Sequence, residues 1–338
     1  VRAAGIPLQD GVRLILGCDE ETGMTDMAYY KSKFAPPDYG FSPDAEFPVI
    51  NIEKGRLELQ LTQRAAGGGA YPIRSMHAGE RVNVVPGVAE AEVALTGGDF
   101  ANLDARVREA SARLGHPIAC EKIGDDGARI TATGKSAHAA MAENGVNAAG
   151  LLLIALKEIG AGGGLNDAIG ALADVIGLEY DGRSLGIQAE DEESGHLTCN
   201  LGVLRADGDG ISAQLDIRYP ICENEERLCG RAAMAISGTG LSLRRLGGHT
   251  PHHVPAEHKV VKGLIEVYSE VTGTPGYAFA IGGGTYSRCM PNTVAFGFNY
   301  PGDTDTCHMP DEYVDIEKLM MSVRIFARAI AKLAGGEA

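Results

Sequence analysis

The chain has 338 residues, of which 44% are hydrophobic, and this is enough for two domains with cores of ordinary size. Its formal net charge of −15 argues against a nucleic acid or an anionic membrane surface as a partner. No run of about 18 apolar residues occurs, so we expect no membrane-spanning helix. The seven cysteines are scattered and form no Cys-x-x-Cys pair, which favours a reducing compartment and a cytoplasmic location.

An acidic segment follows the first apolar stretch of the chain. The apolar run at 12–17 predicts a buried strand, and the adjacent carboxylates of Glu20 and Glu21 come directly after it. The end of such a strand lies at the carboxyl edge of a sheet, where α/β enzymes place their sites. One carboxylate could then bind a metal ion while the other acts as a general base. The alternative is a solvated acidic turn.

The rest of the chain alternates between strand and helix periodicity. A short helix is predicted at 24–33, a buried strand at 49–52, and a closing helix from Ile316 onward. Alternating polar and apolar residues predict strands with one wet face at 56–62, 90–95, 128–133, 200–206 and 211–218. Helical periodicity predicts helices at 101–114, 145–159 and 224–238.

One-sided strands mixed with helices are typical of α+β domains rather than of doubly wound ones. The sequence therefore predicts an α+β domain at about 53–250, which is inserted into an α/β domain made of 1–52 and 251–338.

Seven short motifs occur in a characteristic order. They are Gly-Cys-Asp-Glu-Glu-Thr-Gly at 17–23, Phe-Ser-Pro-Asp-Ala-Glu-Phe-Pro at 41–48, Asn-Val-Val-Pro at 83–86, Gly-Lys-Ser-Ala-His-Ala at 134–139, Asp-Ile-Arg-Tyr-Pro at 216–220, Gly-Gly-Gly-Thr-Tyr at 282–286 and His-Met-Pro-Asp-Glu at 308–312. In this order they resemble the dinuclear zinc metallopeptidases of the aminoacylase–carboxypeptidase group, and within it the dipeptidase V branch of Xaa-His dipeptidases. The resemblance implies a catalytic domain with a mostly parallel sheet flanked by helices, and an inserted α+β lid of two similar subdomains.

The resemblance also implies a reaction and a set of site residues. The reaction is hydrolysis of dipeptides or similar short amide substrates with two divalent cations, zinc or manganese, in an enzyme that is a monomer when complete. Glu20 would be the general base, and His138 with Asn83 would stabilise the oxyanion. The metal ligands would be Glu21, Asp44 and His308. The residues that bind the substrate would be Arg218, which holds its C-terminal carboxylate, and Gly283, Gly284 and Thr285, which line its pocket.

One part of the family's pattern is missing from this sequence. The family carries an early His-x-Asp motif and a bridging Asp before the Glu-Glu pair, but the nineteen residues before Glu20 contain no His. We therefore expect this chain to be the truncated part of a longer enzyme, to bind metal weakly and to be inactive by itself. The alternative is a metal-free, non-catalytic relative that binds peptides or partners. The substrate stays open among dipeptides, N-acyl amino acids and β-alanyl peptides.

Overall fold

The structure, a computed structural model, describes residues 1, 5–96, 99–304, 306–307 and 310–335. Its contacts divide the chain into two compact units. The first, which we call the discontinuous unit, consists of Val1–Lys54 and His252–Ala338. The second, which we call the central unit, is Gly55–Pro251. The roles of catalytic domain and lid stay predictions.

Seven helices and fifteen strands occur among the described residues. The helices are α1 (Thr25–Lys33), α2 (Phe100–Leu114), α3 (Ala148–Ile159), α4 (Asn166–Val175), α5 (Glu225–Ala235), α6 (Lys259–Thr272) and α7 (Ile316–Ala334). The strands are β1 (Gly40–Ser42), β2 (Val49–Glu53), β3 (Gly55–Arg64), β4 (Ile73–Ala78), β5 (Val88–Ala94), β6 (Ile118–Ile123), β7 (Gly127–Thr133), β8 (Glu190–Asp191), β9 (Gly195–His196), β10 (Thr198–Asp207), β11 (Gly210–Tyr219), β12 (Ser242–His249), β13 (His252–His253), β14 (Ala278–Ile281) and β15 (Thr293–Ala295). Short 3-10 turns lie at Glu20–Thr22, Ala139–Asn144, Gly163–Leu165 and Tyr286–Cys289.

The discontinuous unit is built on a mixed sheet around the buried strand β2. The strand order is β1-β15-β2-β13, and β14 also pairs with β2. The β1–β15 and β14–β2 pairs are parallel, while β13 and β15 run antiparallel to β2. Every residue of β2 is buried. Its β-branched residues Val49, Ile50 and Ile52 agree with the buried strand predicted at 49–52. Residues of α6 and α7 complete this core, in which Phe47 packs edge-on against Phe296 with ring centroids 5.0 Å apart.

The central unit is built on one antiparallel sheet of eight strands. Their order is β12-β3-β11-β10-β4-β5-β7-β6. Along β3 the apolar side chains of Leu57, Leu59 and Leu61 are fully buried, and the polar residues between them are partly exposed. Helices α2 and α3 pack on the β5–β7 part of this sheet, and α3 is buried along almost its whole length. The helices and one-sided strands predicted for this part of the chain are confirmed.

The strand predicted at 12–17 is wrong. This segment has no regular structure, and the side chains of Val12, Leu14 and Leu16 are 54%, 81% and 84% exposed. An apolar run forms a strand only where a neighbour accepts its backbone hydrogen bonds, and no described strand pairs with this segment. The acidic residues that follow this segment therefore do not lie at the end of a strand, and other contacts hold them in place.

No single helix among the described residues has the length and apolar composition needed to span a membrane. The helical segments Ala148–Ile159 and Gly163–Val175 reach this length and apolar composition only when taken together, and the pair is bent by 108°. Both belong to the hydrophobic core of the central unit.

Candidate active site

Asp19 shapes the acidic turn that carries Glu20 and Glu21. Its carboxylate accepts a hydrogen bond from the Thr25 N–H at 2.7 Å and from the hydroxyl groups of Thr22 and Thr25. These donors hold the pKa of Asp19 below its ordinary value. Asp19 therefore stabilises the turn. The carboxylates of Glu20 and Glu21, which follow it, are the candidates for a catalytic role.

Glu20 is half-buried in a neighbourhood rich in carboxylates. Its pKa is raised first by burial and then by the charges of Asp44, Glu21 and Glu53, and the guanidinium of Arg288 opposes this rise. The structure thus brings two of the predicted site residues, Glu21 and Asp44, within electrostatic range of a third, Glu20. The carboxylate pair predicted from the sequence is part of this larger acidic group.

Asp44 is positioned by the turn that follows β1. Its N–H donates to the carbonyl of Ser42 at 2.9 Å, and its Oδ1 accepts from the Ala45 N–H at 2.8 Å. Ala45 adopts a left-handed conformation with φ of 68°, which turns the chain sharply after the aspartate. Asp44 is half-buried, while Glu21 is exposed.

The donors in the described part of the chain do not complete a metal centre. No group of three or more His, Cys, Asp or Glu side chains there is placed to hold a metal ion. The third predicted ligand, His308, lies outside the described residues. Protein zinc sites use three or four ligands, so Glu21 and Asp44 do not fit such a site without further donors.

Glu53 is a site neighbour that sequence reasoning missed. It ends the buried strand β2, is 1% exposed, and its Oε1 accepts from the Thr285 N–H at 3.0 Å, the Thr285 hydroxyl at 2.7 Å and the Ser287 hydroxyl at 2.6 Å. Its Oε2 is buried with no hydrogen-bond partner among the described residues. The signal that could have revealed it is a carboxylate at the end of a buried, mostly apolar strand.

The predicted substrate loop lies against this glutamate. Gly283 and Gly284 are half-buried, and the Thr285 side chain is directed to Glu53. A Cβ atom at Gly284 would lie 2.0 Å from Nη1 of Arg288, so a larger residue fits there only if that arginine moves. The part of these residues in binding a substrate stays a prediction.

In the central unit the structure brings Asn83 and His138 together. The Asn83 carbonyl accepts from the Ala139 N–H at 2.9 Å, and Val84 forms an antiparallel bridge with His138. His138 is exposed and begins the turn Ala139–Asn144, where its Nδ1 accepts from the Ala140 N–H at 3.2 Å. This pairing is compatible with a shared role, which stays a prediction.

Arg218 occupies the end of β11 in the central unit, where it forms a buried ion pair. Its Nε and Nη2 donate to the two carboxylate oxygens of Asp216 at 2.5 and 3.0 Å, and Asp216 is fully buried. Part of its guanidinium is therefore committed to Asp216. Its predicted contact with a substrate carboxylate is untested.

Known proteins resemble this chain over nearly its whole length. The model of peptidase family M20/M25/M40 matches residues 1–332. A putative dipeptidase, YtjP, from Bacillus subtilis is 33% identical over 346 residues, which cover 99% of this chain and 72% of the relative. A β-Ala-Xaa dipeptidase from Lactobacillus delbrueckii subsp. lactis is 30% identical over 339 residues, which cover 100% of this chain and 71% of the relative.

A solved structure is similar in fold. The crystal structure of aminoacylhistidine dipeptidase from Vibrio alginolyticus aligns with a TM-score of 0.53 at 15% identity, over 95% of this chain and 70% of that one. At this identity the match concerns the fold, and it agrees with the α/β class predicted from the sequence.

Proposed function

The chain belongs to peptidase family M20/M25/M40, and we propose that its reaction is the hydrolysis of dipeptides or similar short amide substrates. The observation that carries the proposal is the half-buried Glu20 beside Glu21 and Asp44, in a chain that the family model matches almost throughout. Two of its relatives are named as dipeptidases, which supports a substrate of this size. A non-catalytic, peptide-binding relative is the less favoured alternative.

Glu20 is the proposed general base. It would take a proton from the attacking water and pass it to the leaving amine. Burial and the neighbouring carboxylates raise its pKa, which makes its carboxylate a stronger base than an exposed one. His138 and Asn83 are the proposed oxyanion donors, and Arg218, Gly283, Gly284 and Thr285 are the proposed substrate-binding residues.

Divalent cations, zinc or manganese, are the proposed cofactors. Glu21, Asp44 and His308 are the ligands assigned by the family's motifs. The described residues supply too few donors for a zinc site. Metal binding therefore depends on His308 and on donors other than Glu21, Asp44 and His308. We further propose that the enzyme is a cytoplasmic monomer without nucleic-acid or membrane partners.

A substrate panel tests this function. The product of the complete reading frame that encodes this chain is purified, treated with a chelator and assayed by chromatography with an α-dipeptide, β-Ala-His and an N-acetyl amino acid. We expect turnover of at least one dipeptide that requires added zinc or manganese. Absence of hydrolysis with every substrate and either cation would contradict the proposal.

A further inference from the structure

We infer that Tyr286 is a positioning residue that ties the acidic turn at Glu20–Thr22 to the loop at 283–285. The tie would make the proposed base and the proposed substrate loop move as one body. The catalytic meaning of this inference rests on the proposed function, whereas the tie itself is a property of the fold and is tested without activity.

The tie begins at the acidic turn. The Tyr286 hydroxyl accepts a hydrogen bond from the Asp19 N–H at 2.9 Å and donates one to Oδ2 of Asp26 at 2.7 Å. The same oxygen of Asp26 accepts from the Cys18 N–H at 2.8 Å. One hydroxyl group thus closes a ring of hydrogen bonds around the residues that lead into Glu20, although Asp26 lies 260 positions away from Tyr286 in the sequence.

The ring of Tyr286 is held by apolar packing. It packs on a small apolar cluster formed by Met24, Met27 and Met290. It also meets the backbone of Gly17, where a Cβ atom would lie 2.3 Å from the tyrosine oxygen. Only glycine allows this approach, which explains the glycine that opens the acidic motif.

The tie ends at the buried carboxylate of Glu53. The residues on both sides of Tyr286, Thr285 and Ser287, bind the same oxygen of Glu53. Thr285 also caps the short turn that begins at Tyr286, because its hydroxyl accepts from the Ser287 N–H at 3.1 Å. Glu53 therefore fixes the backbone on both sides of Tyr286. The Tyr286 side chain links this backbone to the acidic turn.

Loss of the hydroxyl should release the turn without unfolding it. The bonds from Thr22 and Thr25 to Asp19 do not involve Tyr286, so the turn keeps its internal structure. What it loses is its attachment to the loop. This distinguishes a positioning residue from a residue that stabilises the whole unit.

Hydrogen–deuterium exchange on the 338-residue chain tests the tie. The variants are Tyr286→Phe and Asp26→Asn, and the control is Tyr29→Phe, which removes the hydroxyl of an exposed tyrosine on α1. We expect both variants to accelerate exchange about tenfold in the peptide that spans 17–25. Exchange in α6, a buried helix of the same unit, and in the control should stay unchanged. In a double-mutant cycle the two substitutions should not be additive.

A second pair of variants tests transmission from the loop. Thr285→Val removes a hydroxyl that binds Glu53 and should also accelerate exchange at 17–25, whereas Thr274→Val, in an exposed loop, should not. Unchanged exchange at 17–25 in Tyr286→Phe would overturn the inference. Acceleration spread evenly over α6 would overturn it as well, because Tyr286 would then be a general stabiliser. Neither result depends on hydrolysis, so each leaves the proposed function to its own test.

Discussion

The buried side chain of Glu53 organises the loop at 283–285 in the discontinuous unit. Removal of a carboxylate from water is costly unless hydrogen bonds replace its hydration. At Glu53 one oxygen receives three donors and the other receives none among the described residues. The three donors are buried together with it, so glutamate and loop depend on each other for their hydrogen bonds.

Glu53→Ala should therefore lower the free energy of unfolding by about 3 kcal/mol, because it leaves buried donors of Thr285 and Ser287 unpaired. The measurement is urea unfolding followed by circular dichroism. The control is Glu257→Ala at an exposed position, for which we expect a change within about 0.5 kcal/mol. Equal effects of the two substitutions would show that the Glu53 bonds contribute nothing to stability.

The cysteines should differ sharply in reactivity. Burial raises the pKa of Cys199 to about 12, which leaves almost no thiolate near neutral pH, while Cys18 is exposed. Iodoacetamide should therefore modify Cys18 in the native chain and Cys199 only after unfolding. Peptide mass spectrometry distinguishes the two sites, and rapid native modification of Cys199 would contradict its placement in the core.

At the residue scale, the motifs of a known family single out Glu20, Glu21 and Asp44, and the structure places Glu21 and Asp44 within electrostatic range of Glu20. The sequence was not sufficient to predict Glu53, Asp26 or Tyr286. Their roles come from hydrogen bonds between segments that are distant in the chain, and no local pattern encodes such a contact.

Helix α3 shows how one residue can both begin an element and attach it to its neighbour. Oδ1 of Asn147 accepts from the N–H groups of Ala149 and Gly150, which caps the helix. Its Nδ2 donates to the Leu201 carbonyl at 2.9 Å and so binds the helix to β10. Asn224 caps α5 without such a second contact. Among the described side-chain hydrogen bonds, it only accepts one from the Arg227 N–H.

Asn147→Ala should lower the free energy of unfolding by about 2 kcal/mol, because the cap and the bond to β10 are both lost. Asn147→Ser keeps a capping oxygen and should cost about 1 kcal/mol. Asn224→Ala removes a cap alone and should also cost about 1 kcal/mol. Urea unfolding compares the three variants. An Asn147→Ala effect no larger than that of Asn224→Ala would mean that the bond to β10 is energetically neutral.

At the element scale, regular periodicity predicted α1, α2, α3, β3 and β11 well. Strand β4 was missed because a register shift between Ile73 and Ser75 breaks its alternation. The apolar residues at 12–17 predict a strand, but no described strand pairs with this segment. A strand is stable only when a neighbouring strand accepts its backbone hydrogen bonds, whatever its composition.

At the scale of the whole molecule, the acidic residues and the loop at 283–285 come from the two segments of the discontinuous unit, Val1–Lys54 and His252–Ala338. The family resemblance predicted the α/β class and the family itself, and the family model matches residues 1–332. The full set of metal donors could not be predicted in the same way, because His308 alone among the expected histidine ligands has a matching motif.

The 338-residue chain should consequently bind zinc weakly. Catalytic zinc sites use three protein ligands each, whereas the family's motifs assign only Glu21, Asp44 and His308 to two cations. After dialysis with excess zinc and then against buffer, we expect well under one equivalent of bound metal by atomic absorption. Two tightly held equivalents would show that the donor set is complete in this chain.

We expect Glu20 to be the base of a peptide hydrolase. The most direct measurement is dipeptide hydrolysis by the product of the complete reading frame, with Glu20→Gln compared with the wild type and with Glu257→Gln as the exposed control. Loss of the proton acceptor should lower kcat by about 1,000-fold, with KM and the control nearly unchanged. A Glu20→Gln variant with wild-type kcat would show that Glu20 is not the base.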